Sequence, residues 1–450
     1  MSAACLPLSA LRACLEGAIP SMMATAAIDG TPNVAYISQV FYMDEGHVAL
    51  SFQFFNKTRQ NILANPRATV LLLHPVTAQF FRLHLRYLRT ESSGPVFESM
   101  KAQLAGIASH AGMDGVFRLL GSDIYEVLEI ECVGKPQLPD APARCSLLGS
   151  LRQTAQRLSA CTSLESLLDA CVDALQALLG IDHAMVLMLD PLTQRLYTVA
   201  SLGYDRSGVG SEIALGDGVI GVAARERTPV RISHMNSAYL YSRALRKSVQ
   251  PGGDLSATEI PYPGLHEPHS QLAVPIVSGA RLLGVLFVES PQDLRFNFED
   301  EDALVVIAGH LGAAIDHLRD SAPSVDAAAD VTEAAPPLAV DGPPLRVRRY
   351  QANNSIFVGD DYLIKGVAGA ILWCMLREYR NRGRTEFSNR ELRLDPTIGL
   401  PDVSDNLEAR LVLLQRRLRE YSPDLRLEKC GRGRLRLQVL RPLELTDVAA

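Results

Sequence analysis

The sequence predicts a multidomain α+β protein, and three observations carry that prediction. Its 450 residues exceed one ordinary domain. Two Pro- and Ala-rich stretches, GKPQLPDAPARCS (134–146) and SAPSVDAAADVTEAAPPLAVDGPP (321–344), lack a periodic apolar pattern and read as linkers, the second flexible or extended. The segments they separate differ in periodicity: 1–133 is β-rich, 147–320 mixes helices with strands, and 345–450 is helical with a closing strand pair.

Composition narrows the class. Apolar residues make up 47% and charged residues 21%, the balance of a soluble globular protein with sizeable cores. Runs such as AGAILWCML are far short of a membrane span, and MSAACLPLSALRACLEGAIP lacks the basic start of a secretory signal. The eight cysteines are scattered without a C-x-x-C pair, which fits reduced thiols in cytoplasm and neither a disulfide framework nor a zinc site. The expectation is a cytoplasmic protein with no membrane partner. Residues 343–450 hold 20 Lys/Arg against 14 Asp/Glu, in a chain whose net charge is −6. A basic tail on an acidic body points to a separate partner for the tail, nucleic acid first.

In the first segment, SMMATAAIDGTPNVAYISQVFYMDEGHVALSF places turn signals at Asp29-Gly30-Thr31-Pro32 and Asp44-Glu45-Gly46 between β-rich runs. NKTRQNILANP reads as a short helix ended by Asn65-Pro66, with strands in RATVLLL, AQFFRLHLRYLRTE and IYEVLEIECV and a helix in GPVFESMKAQLAGIASHAG. Short strands, tight turns and small helices argue for a β-barrel. The second segment opens on a long amphipathic helix broken near Thr162-Ser163. Strands HAMVLMLD and RLYTVASLG follow, then a helix GVIGVAARERT, a hairpin turning at Ser278-Gly279, and a closing helix FEDEDALVVIAGHLGAAIDHLRD. That order predicts one antiparallel sheet with helices on a face. In the third segment, GDDYLIKGVAGAILWCMLREYRNRG reads mostly as one helix, and Ser388 with Glu391 forms a capping box. Leu407, Leu411, Leu414 and Leu418 mark an amphipathic helix, and LRLEKCGRGRLRLQVL gives two strands around Gly431-Arg432-Gly433.

A helix start flanked by Lys57, Thr58 and Arg59 is chemically suited to a phosphate, and the plain alternative is a solvated turn. The surrounding residues, DGTPNV followed by a strand leading into KTRQNILANP, resemble the FMN-binding split barrel of the pyridoxamine 5′-phosphate oxidase superfamily. The resemblance implies FMN as cofactor, its phosphate near Lys57, Thr58 and Asn61, and its ring flanked by residues around Ala35, Tyr36 and Ser38. It also implies a homodimer with cofactor at the interface. The oxidase's own C-terminal Arg-x-His element has no clear counterpart, since Arg82-Leu83-His84 lies mid-strand.

The second segment, through LGDGVIGVAARERTPVRI, SQLAVPIVSGARLLGVLFVES and FNFEDEDALVVIAGHLGAAIDHL, resembles a GAF domain, a small-ligand sensor fold whose ligand here stays open. His266 and His269 form a weak metal pair with no evident third ligand, so no metal site is expected. Cys161 and Cys171 lie on the leading helix, unsuited to bilin attachment, and Asp300-Glu301 read as helix-start residues.

The third segment resembles the winged-helix DNA-binding domain of response regulators in LEARLVLLQRRLREYSPDLRLEKCGRGRLRLQV. The resemblance implies a recognition helix presenting Arg410, Arg416, Arg417 and Arg419, and a wing presenting Lys429, Arg432, Arg434 and Arg436 to phosphates. Leu435 stands where that family usually has an aromatic, and Glu408 and Glu420 dilute the helix's charge. The order expected is split β-barrel, GAF domain, winged helix: a one-component regulator that binds flavin or another small molecule and controls DNA binding. The alternatives are a flavin-dependent NAD(P)H oxidoreductase, for which no convincing acid/base pair is present, and a winged helix that docks protein.

Overall fold

The computed structural model describes residues 6–15, 19–53, 56–75, 77–110, 118–134, 147–233, 260–320, 343–400, 407–431 and 433–448. The first unit begins with a 3-10 helix, Leu8–Leu15. It continues through β1 (Ser21–Ala26), β2 (Pro32–Ile37), β3 (Val40–Asp44), β4 (His47–Phe52), α1 (Lys57–Ala64), β5 (Arg67–Leu73), β6 (Phe80–Glu91), α2 (Pro95–His110) and β7 (Gly121–Val133). The strands form one antiparallel sheet in the order β2-β1-β5-β6-β7-β4-β3. Its end strands are consecutive in sequence, so the sheet curls back on itself. The β1–β2 turn is local chemistry: the Asp29 carboxylate accepts the Thr31 N–H at 2.9 Å, and Gly30 takes φ +85°, which glycine tolerates without a Cβ clash. Alternating Val48, Leu50, Val70, Leu72, Leu83 and Leu85 are buried inside, with Leu8 and Leu11 packed against them.

The second unit comprises α3 (Leu147–Ser159), α4 (Leu164–Leu179), β8 (His183–Asp190), β9 (Arg195–Leu202), β10 (Glu212–Ala214), α5 (Gly218–Glu226), β11 (Val230–Ile232), β12 (Ser270–Ser278), β13 (Arg281–Ser290) and α6 (Phe298–Asp320). The expected helix break is real: Ser163 caps α4, its hydroxyl accepting the Ser166 N–H. The antiparallel sheet runs β10-β9-β8-β13-β12-β11. It is covered on both faces rather than one. Leu167, Leu175, Leu304 and Leu311 of α4 and α6 pack on Val274 and Ile276, while Ile220 and Ala223 of α5 pack on Val285 and Phe287 opposite. Helix α6 lies so close to β12 that a Cβ on Gly312 would fall 2.3 Å from the Val277 carbonyl oxygen.

The third unit differs most from expectation. Before its first helix come β14 (Leu345–Tyr350), β15 (Ser355–Val358) and β16 (Asp361–Ile364). Then follow α7 (Gly366–Arg382), β17 (Glu386–Ser388), α8 (Asn389–Leu394), α9 (Leu407–Tyr421), β18 (Leu425–Gly431), β19 (Arg434–Val439) and β20 (Leu443–Val448). One sheet runs β16-β15-β14-β20, with β20 parallel to β14, and the other runs β17-β19-β18. Asp361–Ile364, expected within a helix, is a strand that stops before Gly366 (φ +67°). Trp373, the chain's one tryptophan, is buried in α7.

The units touch. The Arg12 guanidinium bonds Asp302 and lies 4.4 Å over the Phe298 ring, with Arg231 4.3 Å from the same ring. Helix α2 packs on β11 and α5, where the Ser99 hydroxyl donates to the Pro229 carbonyl at 3.3 Å. The core of the second unit runs without a break into that of the third. Among the described residues no helix is long and apolar enough to cross a membrane.

Candidate functional site

The barrel encloses a cavity of about 520 Å³, within the usual size of a small-molecule or cofactor site. Strand β2 brings Ala35 and Tyr36 to its wall and Ser38 follows; Met23, Leu50 and Ile62 supply apolar surface. Helix α1 closes one side. Its Asn56 cap accepts the Arg59 N–H at 3.0 Å, which fixes the first turn. Of the three residues expected near a phosphate, Thr58 and Asn61 meet in one hydrogen-bond network and Lys57 lies apart. Thr58 lines the cavity, its hydroxyl oxygen accepting from the Asn33 amide at 2.9 Å. Lys57 is exposed and outside the lining. Asn61 is buried and donates at 3.1 Å to the Thr25 hydroxyl, which the Asn33 amide also reaches.

Two lining residues escaped the sequence reading as a pair. The Arg59 guanidinium donates to Asp123 at 2.5 Å and to the Thr90 hydroxyl at 2.8 Å, and lies 4.4 Å over the Phe52 ring. Thr90 also donates to Asp123, at 2.5 Å. Burial pushes the Asp123 carboxyl above its ordinary range, with the Thr90 and Arg59 bonds pulling the other way; burial and the neighbouring Asp123 raise the Tyr125 phenol. The sequence carries only a weak signal for Asp123, one of four acids in GSDIYEVLEIECV, set beside the apolar Ile124 and Tyr125. Gln53 donates to the Ser38 hydroxyl at 3.1 Å, while its own buried carbonyl oxygen has no partner among the described residues.

The second unit holds a smaller cavity, about 80 Å³, lined by Glu212, Asp217, Tyr262, Gln271 and Phe287 among others. Beside it Glu289 is buried and accepts the Leu265 N–H at 2.8 Å and the Gln271 amide at 2.9 Å. Burial raises the Glu289 carboxyl, against the pull of those bonds. His266 is fully exposed and His269 lies 3.4 Å from Asp293; among the described residues no group of His, Cys, Asp and Glu is arranged to hold a metal. Asp300 accepts the Asn297 N–H at 3.0 Å, and the Asn297 side chain accepts back from the Asp300 N–H, a helix-start role.

The basic face expected to be open on α9 is largely covered: Arg410, Arg416 and Arg417 are withdrawn from solvent, and Arg419 stays exposed. Arg410 sits 2.9 Å from Asp190 and 4.3 Å over the Tyr197 ring, both in the second unit. Arg416 donates to the Val199 carbonyl at 2.8 Å and to Asp169 at 2.5 Å, and Arg419 reaches Glu165 at 3.2 Å. Arg417 turns inward to its own unit, donating to the Leu363 carbonyl at 2.8 Å. The leucine repeat identified one apolar side, but Ala409 and Leu413 give the helix a second, which is buried too. On the β18–β19 hairpin, Lys429 lies 3.9 Å from Glu408, Arg436 bonds Glu386 at 2.7 Å and Arg434 is half-buried; Arg432 lies outside the described residues.

Comparisons with known proteins fit two of the three units. Residues 8–127 match the pyridoxamine 5′-phosphate oxidase family and residues 163–315 the GAF domain family. No curated protein matches the sequence. Among solved structures, the GAF domain of an Acinetobacter phosphoenolpyruvate-protein phosphotransferase is 23% identical over 41% of this chain and 100% of its own, with a TM-score of 0.33. A free methionine-R-sulfoxide reductase from Neisseria meningitidis is 18% identical over 40% and 96%, at 0.31. An FMN-binding protein from Syntrophomonas wolfei is 14% identical over 28% and 86%, at 0.24. Residues 8–127 are therefore a pyridoxamine 5′-phosphate oxidase-like domain and residues 163–315 a GAF domain, the two identified parts of a multidomain α+β chain.

Proposed function

We propose that the chain is a small-molecule-responsive regulator that binds a flavin in the barrel, a second ligand in the GAF domain, and DNA through a C-terminal winged helix. The observation carrying the flavin reading is the 520 Å³ cavity inside the unit that matches an FMN-associated family. Its apolar walls and the Gln53 oxygen, which has no partner among the described residues, suit a heteroaromatic ring with a polar edge. A bound flavin would supply redox or light-absorbing chemistry; the chain's own residues hold and orient it, with Tyr36 and Ser38 at the wall and Arg59, fixed by Asp123, beside the rings of Phe52 and Tyr87. The visible spectrum of the purified protein, with mass spectrometry of what denaturation releases, tests this. Flavin bands with a released flavin are expected; a colourless protein that takes up no added flavin sinks the reading.

A homodimer belongs to the same proposal. Ile28, Val34 and Tyr36 are exposed apolar side chains on or beside β2, the edge strand that also lines the cavity. DNA binding through α9 requires that helix to leave the GAF domain, so the arrangement described here would be the resting one. A specific observation favours a second reading: the near-complete burial of Arg410 against Asp190 suits a permanent protein-docking surface, in which the third unit serves the GAF domain rather than DNA.

A further inference from the structure

We propose that the barrel cavity recognises the ring of an uncharged flavin and is indifferent to the phosphate, because Arg59 is committed to Asp123. This rests on the flavin reading and narrows it. Arg59 and Asp123 are the charged members of the described lining, so the wall carries no net charge. A phosphate brings about two negative charges and calls for a free arginine fork, a lysine or unspent N–H groups. The arginine of the described lining is engaged, and no lysine is part of that lining. The Arg59 guanidinium serves Asp123 and Thr90 and its N–H serves the Asn56 cap, which leaves uncharged donors such as the Thr58 hydroxyl, whose oxygen accepts from Asn33. Lys57 is on the outer surface, and a dianion entering the cavity would meet the Asp123 carboxylate.

The ring end is better provided. Met23, Leu50 and Ile62 give apolar contact, and the Gln53 carbonyl oxygen is a buried acceptor without a partner among the described residues. An imide N–H on the ring edge is the donor that would satisfy it.

The test is titration of ligand-free full-length protein with riboflavin and with FMN, followed by fluorescence quenching. The two dissociation constants are expected within about threefold of each other, where a phosphate bound by dedicated cations would separate them by ~100-fold. Lys57→Ala should leave the ratio unchanged. Asp123→Asn keeps the shape but leaves the guanidinium charge uncompensated, so it should shift preference toward FMN by about tenfold. Tight FMN binding with negligible riboflavin binding, whether or not Lys57→Ala abolishes it, overturns the inference and leaves the flavin reading standing. If neither flavin binds, the flavin reading itself falls and takes the inference with it. Should Asp123→Asn not fold, the wild-type ratio and the exposed Lys57→Ala variant still decide.

Discussion

Glu289 is a carboxyl buried in the GAF domain, accepting from the Leu265 N–H and the Gln271 amide with the Tyr204 phenol beside it, and no guanidinium or ammonium bonds it among the described residues. Burial raises its folded-state value above the ordinary 4.5 of a glutamate. A raised value means the folded form prefers the protonated acid. Its contribution to stability is therefore full below the unfolded value and is lost as pH rises through the folded one. Glu289→Gln should consequently gain melting temperature relative to wild type as pH rises from about 5 to 7, with the two converging at the acid end. Thermal melts of both proteins across that range check it; a constant difference would mean that the two N–H donors hold the carboxylate ionised throughout. Asp123 shows why such residues were hard to find in the sequence. One acid in a strand is ambiguous until the fold supplies the arginine 64 positions away that meets it.

At the scale of elements, β2 makes the sharpest prediction. It is an edge strand of the barrel sheet, with Val34 66% and Tyr36 79% exposed, a surface that a second copy would cover. Val34→Glu should convert a dimer to a monomer in light scattering, with the far-ultraviolet spectrum unchanged; a wild-type monomer would remove the dimer from the proposal. Elements with strong local signals were legible. Helix α1 follows from its Asn56 cap and the Asn65-Pro66 stop, and β12–β13 from two apolar runs around the Ser278-Gly279 turn. Strands β14–β16 were not, because LRVRRY is heavily charged, SIFV is only 4 residues long, and DYLI runs straight into a helix. Strand β20 was missed for a different reason: its partner β14 is about 100 residues earlier and parallel to it, so no local pattern announces the pairing. That Thr58 and Asn61 share a neighbourhood was legible from their i,i+3 spacing, as was the turning of Lys57 away from its neighbour Thr58.

At the scale of the whole molecule, the contact between α9 and the GAF domain decides between the two readings of the third unit. Arg410 and Asp190 are both nearly buried, and removing one partner of such a pair typically costs about 3–5 kcal/mol, so that pair is a poor place to probe a reversible contact. Asp169 and Glu165 are more exposed and better suited. Asp169→Asn combined with Glu165→Gln should loosen the clasp and raise affinity for duplex DNA at low salt by about tenfold, read by fluorescence anisotropy and weakening steeply as salt is added. If neither wild type nor variant binds duplex DNA at low salt, the docking reading stands and the DNA reading is lost. This contact could not be read from the sequence, where an Arg-rich amphipathic helix looks alike whether it faces water, phosphate or a neighbouring domain.

Trp373 gives the molecule an internal reporter. Because it is the one tryptophan in the sequence and is buried in α7, indole emission arises wholly from the third unit. Red-shift of that emission registers solvent reaching α7, while ligand entering the barrel leaves the band position alone and dims it only by energy transfer to a visible chromophore. One cuvette thus separates loss of the third unit's packing from filling of the first.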